Sequence, residues 1–289
     1  MSGFLNILKP PGMSSHDVVG YVRRVLQTKK VGHAGTLDPA AAGVLPVAVG
    51  TATRLIEYLE LTDKTYRAEI QLGIATDSGD DTGKVRARQE NWPAFAPSAL
   101  QAALAQFTGR IRQTPPAHSA IKINGQRACD LLRAGKSVEV PSREVMIYRL
   151  DLLAHSHDRL LIETDCSKGT YIRSLCQDIG EALGVPATMA FLLRRRVGDF
   201  SVEKALTLEE LSQVGAEALL PADDYLSGMQ SFDLHPKREK AFCNGLSTGV
   251  RNFRTETDFL RVYAAGKFLG IGRYDAEKEE LLPVKVIGR

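Results

Sequence analysis

The sequence predicts an α/β chain that ends in a small all-β module, on three observations. In Y-R-A-E-I-Q-L (66–72), Tyr66, Ala68, Ile70 and Leu72 alternate with Arg67, Glu69 and Gln71. That period of two turns one side of a strand inward. In T-Y-I-R-S-L-C-Q-D-I-G-E-A-L (170–183), Ile172, Leu175, Cys176, Ile179 and Leu183 recur at helical spacing, with Arg173 at the edge of the stripe. Beyond about residue 225 the texture changes to short strands between turn residues, F-L-R-V-Y-A-A-G-K-F-L-G-I-G-R-Y (259–274) and L-L-P-V-K-V-I (281–287). A large domain at 1–230 and an all-β module at 231–289 are therefore expected.

The remaining elements follow in order. F-L-N-I-L-K (4–9) reads as a strand. Ser14 stands three residues before Asp17 at capping-box spacing, and Val18, Val22, Val25 and Leu26 form the stripe of the helix it opens. Residues 29–43 read as a loop, V-L-P-V-A-V (44–49) as a short buried strand and T-R-L-I-E-Y-L (53–59) as a helix. D-S-G-D-D-T-G (77–83) has the composition of a calcium loop. However, Gly79 and Thr82 stand where an EF-hand needs a ligand and a glycine, and Arg88 stands where the closing glutamate belongs. A helix near 97–107 and the strand R-L-L-I-E-T-D-C (159–166) complete the large domain.

Hydrophobic residues make up 44% of the 289, enough for a sizeable core, and no apolar run reaches membrane-spanning length. Cys129, Cys166, Cys176 and Cys243 form no C-x-x-C pair and have no partnering histidines, so reduced thiols in a cytoplasmic, metal-free protein are expected. The net charge is only +3, but it is unevenly spread. Arg110, Arg112, Lys122, Arg127, Arg133, Lys136, Arg143 and Arg149 face three acids, Asp130, Glu139 and Glu144, giving that stretch +5 and the remainder −2. Arg194, Arg195 and Arg196 form a second cluster. Such basic segments fit either a solvated face or a polyanion such as nucleic acid.

In G-H-A-G-T-L-D-P-A-A-A-G-V-L-P (32–46), His33 and Asp38 sit among small residues, and Asp38 is the only acid. An Asp-Pro pair commonly starts a turn, which is the plain account of Asp38. That stretch, together with L-N-I-L-K-P-P-G-M-S-S (5–15), K-T-Y-R-A-E-I-Q-L-G (64–73) and S-K-G-T-Y-I-R-S-L-C-Q-D-I-G (167–180), resembles the bacterial TruB family of tRNA pseudouridine synthases. The resemblance runs from residue 4 to about 212. It implies a mixed, largely antiparallel central sheet flanked by helices, with a PUA-like RNA-binding domain in the C-terminal place. The implied activity converts uridine 55 of the tRNA T arm to pseudouridine, without cofactor or metal.

By the same resemblance Asp38 is the carboxylate that stabilises or captures the sugar as its glycosidic bond breaks. Arg173 is the charge beside it, and Tyr66 stacks on the flipped base and is a candidate to abstract a sugar proton. Tyr171 and Leu192 line the uracil pocket, and His33 packs into the RNA stack near the vacated place. The small residues around Asp38 would let the backbone approach the nucleotide. Lys9 and Arg54 match basic positions that either support the fold or bind phosphate, and Asp80 matches an acid that reaches toward Arg173. The chain departs from the family's L-R-R pattern, because Leu192 is followed by Leu193 and then by Arg194, Arg195 and Arg196. A stand-alone cytoplasmic monomer that binds the T-arm stem-loop is implied.

Other chemistries fit less well. An aspartyl phosphotransferase or hydrolase would need a second acid or a metal cluster beside Asp38, and D-P-A-A-A offers none. Thiol addition to uracil would need a reactive cysteine, whereas Cys166 and Cys176 fall inside regular elements. An RNA-binding or RNA chaperone protein that promotes tRNA folding is the alternative to catalysis, and the intact set of Asp38, Tyr66 and Arg173 argues against that as the sole role.

Overall fold

The computed structural model describes residues 1–60, 62–116, 118–119, 121–123, 125–134, 138 and 140–287. Lys136 and Glu139 of the basic stretch lie outside the described residues, as do residues 288–289 and the side chains of Lys122, Arg127, Cys129 and Arg133. The strands in chain order are β1 (Gly3–Lys9), β2 (Val31–His33), β3 (Ala42–Val49), β4 (Lys64–Leu72), the hairpin β5 (Ile74–Thr76) and β6 (Val85–Arg88), and β7 (Gly109–Gln113). They continue with the hairpin β8 (Lys122–Ile123) and β9 (Gln126–Arg127), then β10 (Arg143–His155), β11 (Arg159–Cys166), β12 (Ala187–Val197) and β13 (Phe200–Ser201).

Among the described residues nine of these form one sheet in the order β1-β3-β12-β4-β11-β10-β7, with β2 on β3 and β13 on β12. Every pairing is antiparallel except β12 with β3. The mixed, largely antiparallel sheet is therefore present.

Helices cover the sheet where its strands are apolar. Ser14 caps α1 (Ser15–Val25) with the full capping box, its hydroxyl accepting from the Asp17 N–H at 3.1 Å while Asp17 accepts from the Ser14 N–H at 2.9 Å. Val18 and Val22 are fully buried against Leu5, Ile7, Leu45 and Val47, each worth about 1.5–3 kcal/mol of transfer free energy. In chain order α2 (Ile56–Glu60), α3 (Pro97–Ala105) and α4 (Ala128–Arg133) follow. The stripe of α5 (Ile172–Ala182) packs with Leu100 and Leu104 of α3 on the inward face of β4 and β11, where Tyr66, Ala68, Ile70 and Leu72 all point. Among the described residues no helix is long and apolar enough to cross a membrane.

A second sheet, β14 (Gln230–Asp233), β15 (Thr248–Gly249), β16 (Leu260–Ala264), β17 (Lys267–Asp275) and β18 (Glu280–Val286), has the order β14-β16-β17-β18-β15. It is docked on the first domain: Tyr58 meets Phe259 edge-on at 5.2 Å, and Lys285 pairs with Glu57 at 2.8 Å.

The structure differs from the sequence expectations in three places. β2 lies inside the stretch expected as loop, and β3 starts at Ala42 rather than at Val44. Residues 53–59 begin in a 3-10 turn, Gly50–Leu55, before α2 forms. The two longest strands, β10 and β12, carry no clean alternation because register shifts interrupt both.

Candidate active site

Asp38 lies in the loop between β2 and β3, held from two sides. Ser15, buried at the start of α1, accepts from the Leu37 N–H at 2.9 Å and donates to the Leu37 carbonyl at 3.1 Å. Lys9, fully buried at the end of β1, donates from Nζ to the carbonyls of Pro10 (2.8 Å), Met13 (2.7 Å) and Pro39 (3.1 Å). All three ammonium protons thus go to backbone, and Lys9 clamps the peptide beside Asp38. Burial and then the nearby Arg194 charge pull the Lys9 pKa down to about 8.

Arg173, the second residue of α5, is 5% exposed and gathers three separate segments. Its Nε lies 3.1 Å from Asp38 Oδ2, and its Nη2 lies 3.4 Å from Oδ1. Nη1 donates to the Ser78 carbonyl and Nη2 to the His118 carbonyl, both at 3.0 Å. Asp80 approaches Nη1 at 3.8 Å.

The two carboxylates facing Arg173 have different environments. Burial raises the Asp80 pKa, but hydrogen bonds from the Ser78 hydroxyl (2.6 Å), the Thr82 hydroxyl (2.6 Å) and the Thr82 N–H (3.1 Å), with the Arg173 charge, bring it below the ordinary range. Among the described residues the Asp38 side chain accepts hydrogen bonds only from the guanidinium; burial pushes its carboxyl upward, Arg173 opposes this, and the Asp80 charge adds to the rise. Its side chain stays 35% exposed, so one carboxylate is enclosed and the other is open on one side.

The other candidate residues divide. Tyr66 (9% exposed) and Leu192 (6%) share one apolar cluster with Leu37, beside Asp38, and Ile172, beside Arg173. Burial raises the Tyr66 pKa, and the Arg194 guanidinium opposes it. Tyr171 precedes α5, its peptide clasped by Gln113, whose amide donates to the Tyr171 carbonyl (3.0 Å) and accepts from the Tyr171 N–H (2.7 Å). The Arg143 guanidinium lies 5.0 Å over the Tyr171 ring. His33, on β2, has a buried Nδ1 without a hydrogen-bond partner among the described residues, and burial, Arg194 and His16 lower its pKa. Arg54 stands apart: it is exposed and donates to the Val286 carbonyl at 2.7 Å, tying the first domain to the second.

The arginine cluster is not a free basic patch. Arg194 is 1% exposed and turned inward, Arg195 pairs with Glu163 (2.9 Å) and Glu203 (2.7 Å), and Arg196 donates to the Thr65 hydroxyl (2.9 Å). Sequence reasoning missed the roles of Gln113, Arg143 and Arg194. For Arg194 there was a signal, since it shares the strand parity of Leu192 and so faces the same interior. Cys166 and Cys176 are fully buried; burial pushes the Cys166 thiol up to about 12 and the Cys176 thiol up as well, so neither is a reactive thiolate.

Comparison with known proteins gives a consistent result. Residues 23–172 match the N-terminal domain of the TruB family pseudouridylate synthases, and residues 173–229 match the tRNA pseudouridylate synthase B C-terminal domain. The tRNA pseudouridine synthase B of Caldanaerobacter subterraneus subsp. tengcongensis is 43% identical over 281 residues, covering 96% of this chain and 97% of that protein. Its namesake from Moorella thermoacetica is 55% identical over 214 residues, covering 73% and 70%. A chain of a solved Cbf5-Nop10-Gar1 complex superposes with a TM-score of 0.75 at 26% identity, over 98% of this chain and 83% of that one.

Proposed function

The chain belongs to the TruB family of pseudouridylate synthases, and we propose that it isomerises uridine 55 in the T loop of tRNA to pseudouridine with Asp38 as the nucleophile. The observation that supports this site is the pairing of a partly exposed Asp38 with the buried fork of Arg173, beside an aromatic ring at Tyr66. Breaking the glycosidic bond leaves its electron pair on uracil N1 and positive charge at the sugar C1′. A carboxylate with one open side is placed to stabilise or capture that carbon. The detached uracil turns, C5 bonds to C1′, and the C5 proton is lost as N1 regains one. The atoms of an isomerisation balance without any co-reactant.

In this reading Tyr66 lies under the flipped base, Tyr171 and Leu192 bound the uracil pocket, and His33 enters the stack where the base was. Flipping a uridine from a folded loop costs a few kcal/mol, which stacking and phosphate contacts must offset. Residues 231–289 serve as a PUA-like RNA-binding unit, and the chain acts in the cytoplasm as a monomer with no protein partner. Lys9 and Asp80 act through Asp38 and Arg173 rather than on the RNA, since both are buried, with the Lys9 ammonium and Asp80 Oδ1 already engaged inside the fold.

The test is incubation of the purified chain with an unmodified T-arm stem-loop, followed by mapping of pseudouridine. Stoichiometric conversion at position 55 is expected. RNA folding activity without conversion would favour the chaperone alternative and overturn the enzymatic role.

A further inference from the structure

Arg194 is the largest of the fully buried side chains. Its neighbours pair with Glu163 and Asp165, but among the described residues no carboxylate lies within ion-pair distance of Arg194 itself. A buried cation without such a partner is costly unless its N–H groups are satisfied another way. Here they go to the loop that carries Asp38. Nε donates to the Val44 carbonyl (2.8 Å), Nη1 to Thr36 (3.2 Å) and Nη2 to Gly35 (3.1 Å), so one guanidinium grips the chain on both sides of Asp38.

Tyr66 stands directly across from Arg194 in the β4–β12 register, and the buried guanidinium acts on the Tyr66 hydroxyl, opposing the rise that burial gives its pKa. The Arg194 backbone meets the loop as well. It is opposite Gly43, which sits at φ +121°, and a Cβ there would come within 2.2 Å of the Arg194 carbonyl oxygen. Only a planar fork with several fixed donors can serve acceptors in these different directions.

We propose that Arg194 is a positioning residue that fixes the Tyr66 hydroxyl relative to the Asp38 loop, so that the two groups facing the uridine keep one spacing. The inference rests on the assignment of Asp38 and Tyr66 to the uridine site. Arg194→Lys keeps the positive charge and most of the volume but loses the fork.

In single-turnover reactions on saturating T-arm stem-loop, Arg194→Lys should react to full amplitude, with a rate constant reduced on the order of 100-fold and RNA affinity within about threefold of wild type. Purely structural damage would instead lower the amplitude, through unfolded enzyme, and leave the rate of the folded fraction near wild type. A rate within about threefold of wild type, or a loss confined to amplitude, overturns the proposal.

A urea-denaturation double-mutant cycle with Tyr66→Phe tests the contact independently of activity. The two substitutions should destabilise less together than the sum of the singles, and strict additivity overturns the coupling. An inactive wild type would sink the uridine-site assignment. An active wild type with additive variants sinks only this inference.

Discussion

Arg173→Lys removes the feature on which the proposed site depends most directly. The guanidinium makes two contacts to Asp38 and donates to the Ser78 and His118 carbonyls, with 6% of its side chain exposed. An ammonium at the end of a flexible stem can keep one good contact to Asp38 but cannot hold acceptors on three segments. Hydrogen bonds to charged groups contribute about 1.5–3 kcal/mol each, so losing two with partial replacement costs about 3–4 kcal/mol. If that loss falls on the transition state, turnover drops by about two to three orders of magnitude, at about 1.4 kcal/mol per tenfold. RNA affinity should stay within about threefold, because these contacts are internal to the protein. Single-turnover rates and filter-binding affinities on the T-arm stem-loop measure the two separately. A lysine variant that turns over within about threefold of wild type would refute the idea that Arg173 works by geometry as well as charge.

Asp38→Asn should leave less than about one part in a thousand of the single-turnover rate, with RNA affinity nearly unchanged; a higher residual rate would sink the nucleophilic role. Because burial raises the Asp38 pKa and Asp80 adds to the rise, the acid limb of turnover should lie above that of an ordinary aspartate, and Asp80→Asn should move it to lower pH, as a turnover–pH profile would record. Burial opposes ionisation of Glu163, but hydrogen bonds from Arg195, Arg67 and Arg149 hold its pKa down to about 2, so its stabilisation is complete above its ordinary 4.5 and fades as pH falls toward 2. Glu163→Gln should therefore cost about 1–3 kcal/mol at neutral pH, discounted because the arginines are partly exposed, and the difference from wild type in urea denaturation should shrink over that window. His33→Ala should slow turnover at saturating RNA while leaving the slope of log affinity against log salt unchanged, since stacking releases no counterions; a flatter slope would make His33 a phosphate contact.

Elements whose polarity follows one period throughout were legible in the sequence. β4, β11 and α5 match their expected ranges closely, since one face of each is continuously buried. β10 and β12 were not, because their bulges reset which residues face inward, and bulges depend on partner strands that a single sequence does not display. Asp38, Tyr66 and Arg173 stood out by resemblance, but their mutual distances depend on sheet order. Gln113 lies in the edge strand β7 and Arg143 at the start of its neighbour β10, both far along the chain from Tyr171, and they meet it only because β7 and β10 close that side of the sheet. The docking of the second sheet was also invisible, because Tyr58 and Phe259 are each unremarkable until they touch.

The small residues of the 32–46 loop suggested close approach to a nucleotide, and the structure gives part of them another cause. Gly43 is required by the protein's own chain, because the Arg194 backbone leaves no room for a side chain. What the loop leaves open is therefore specific. Lys9 and Ser15 hold the peptides flanking Asp38, and Arg194 holds the strand ends beyond them. The Asp38 carboxylate itself keeps an exposed side. Asp80, though it faces the same arginine, has its Oδ1 engaged by Ser78 and Thr82 and is 6% exposed. A carbon developing positive charge could reach Asp38 without breaking any bond of the resting protein. Reaching Asp80 would first require displacing the segments that bury it. In the proposed mechanism, that difference in exposure favours Asp38 for the attack and Asp80 for holding Arg173 in place.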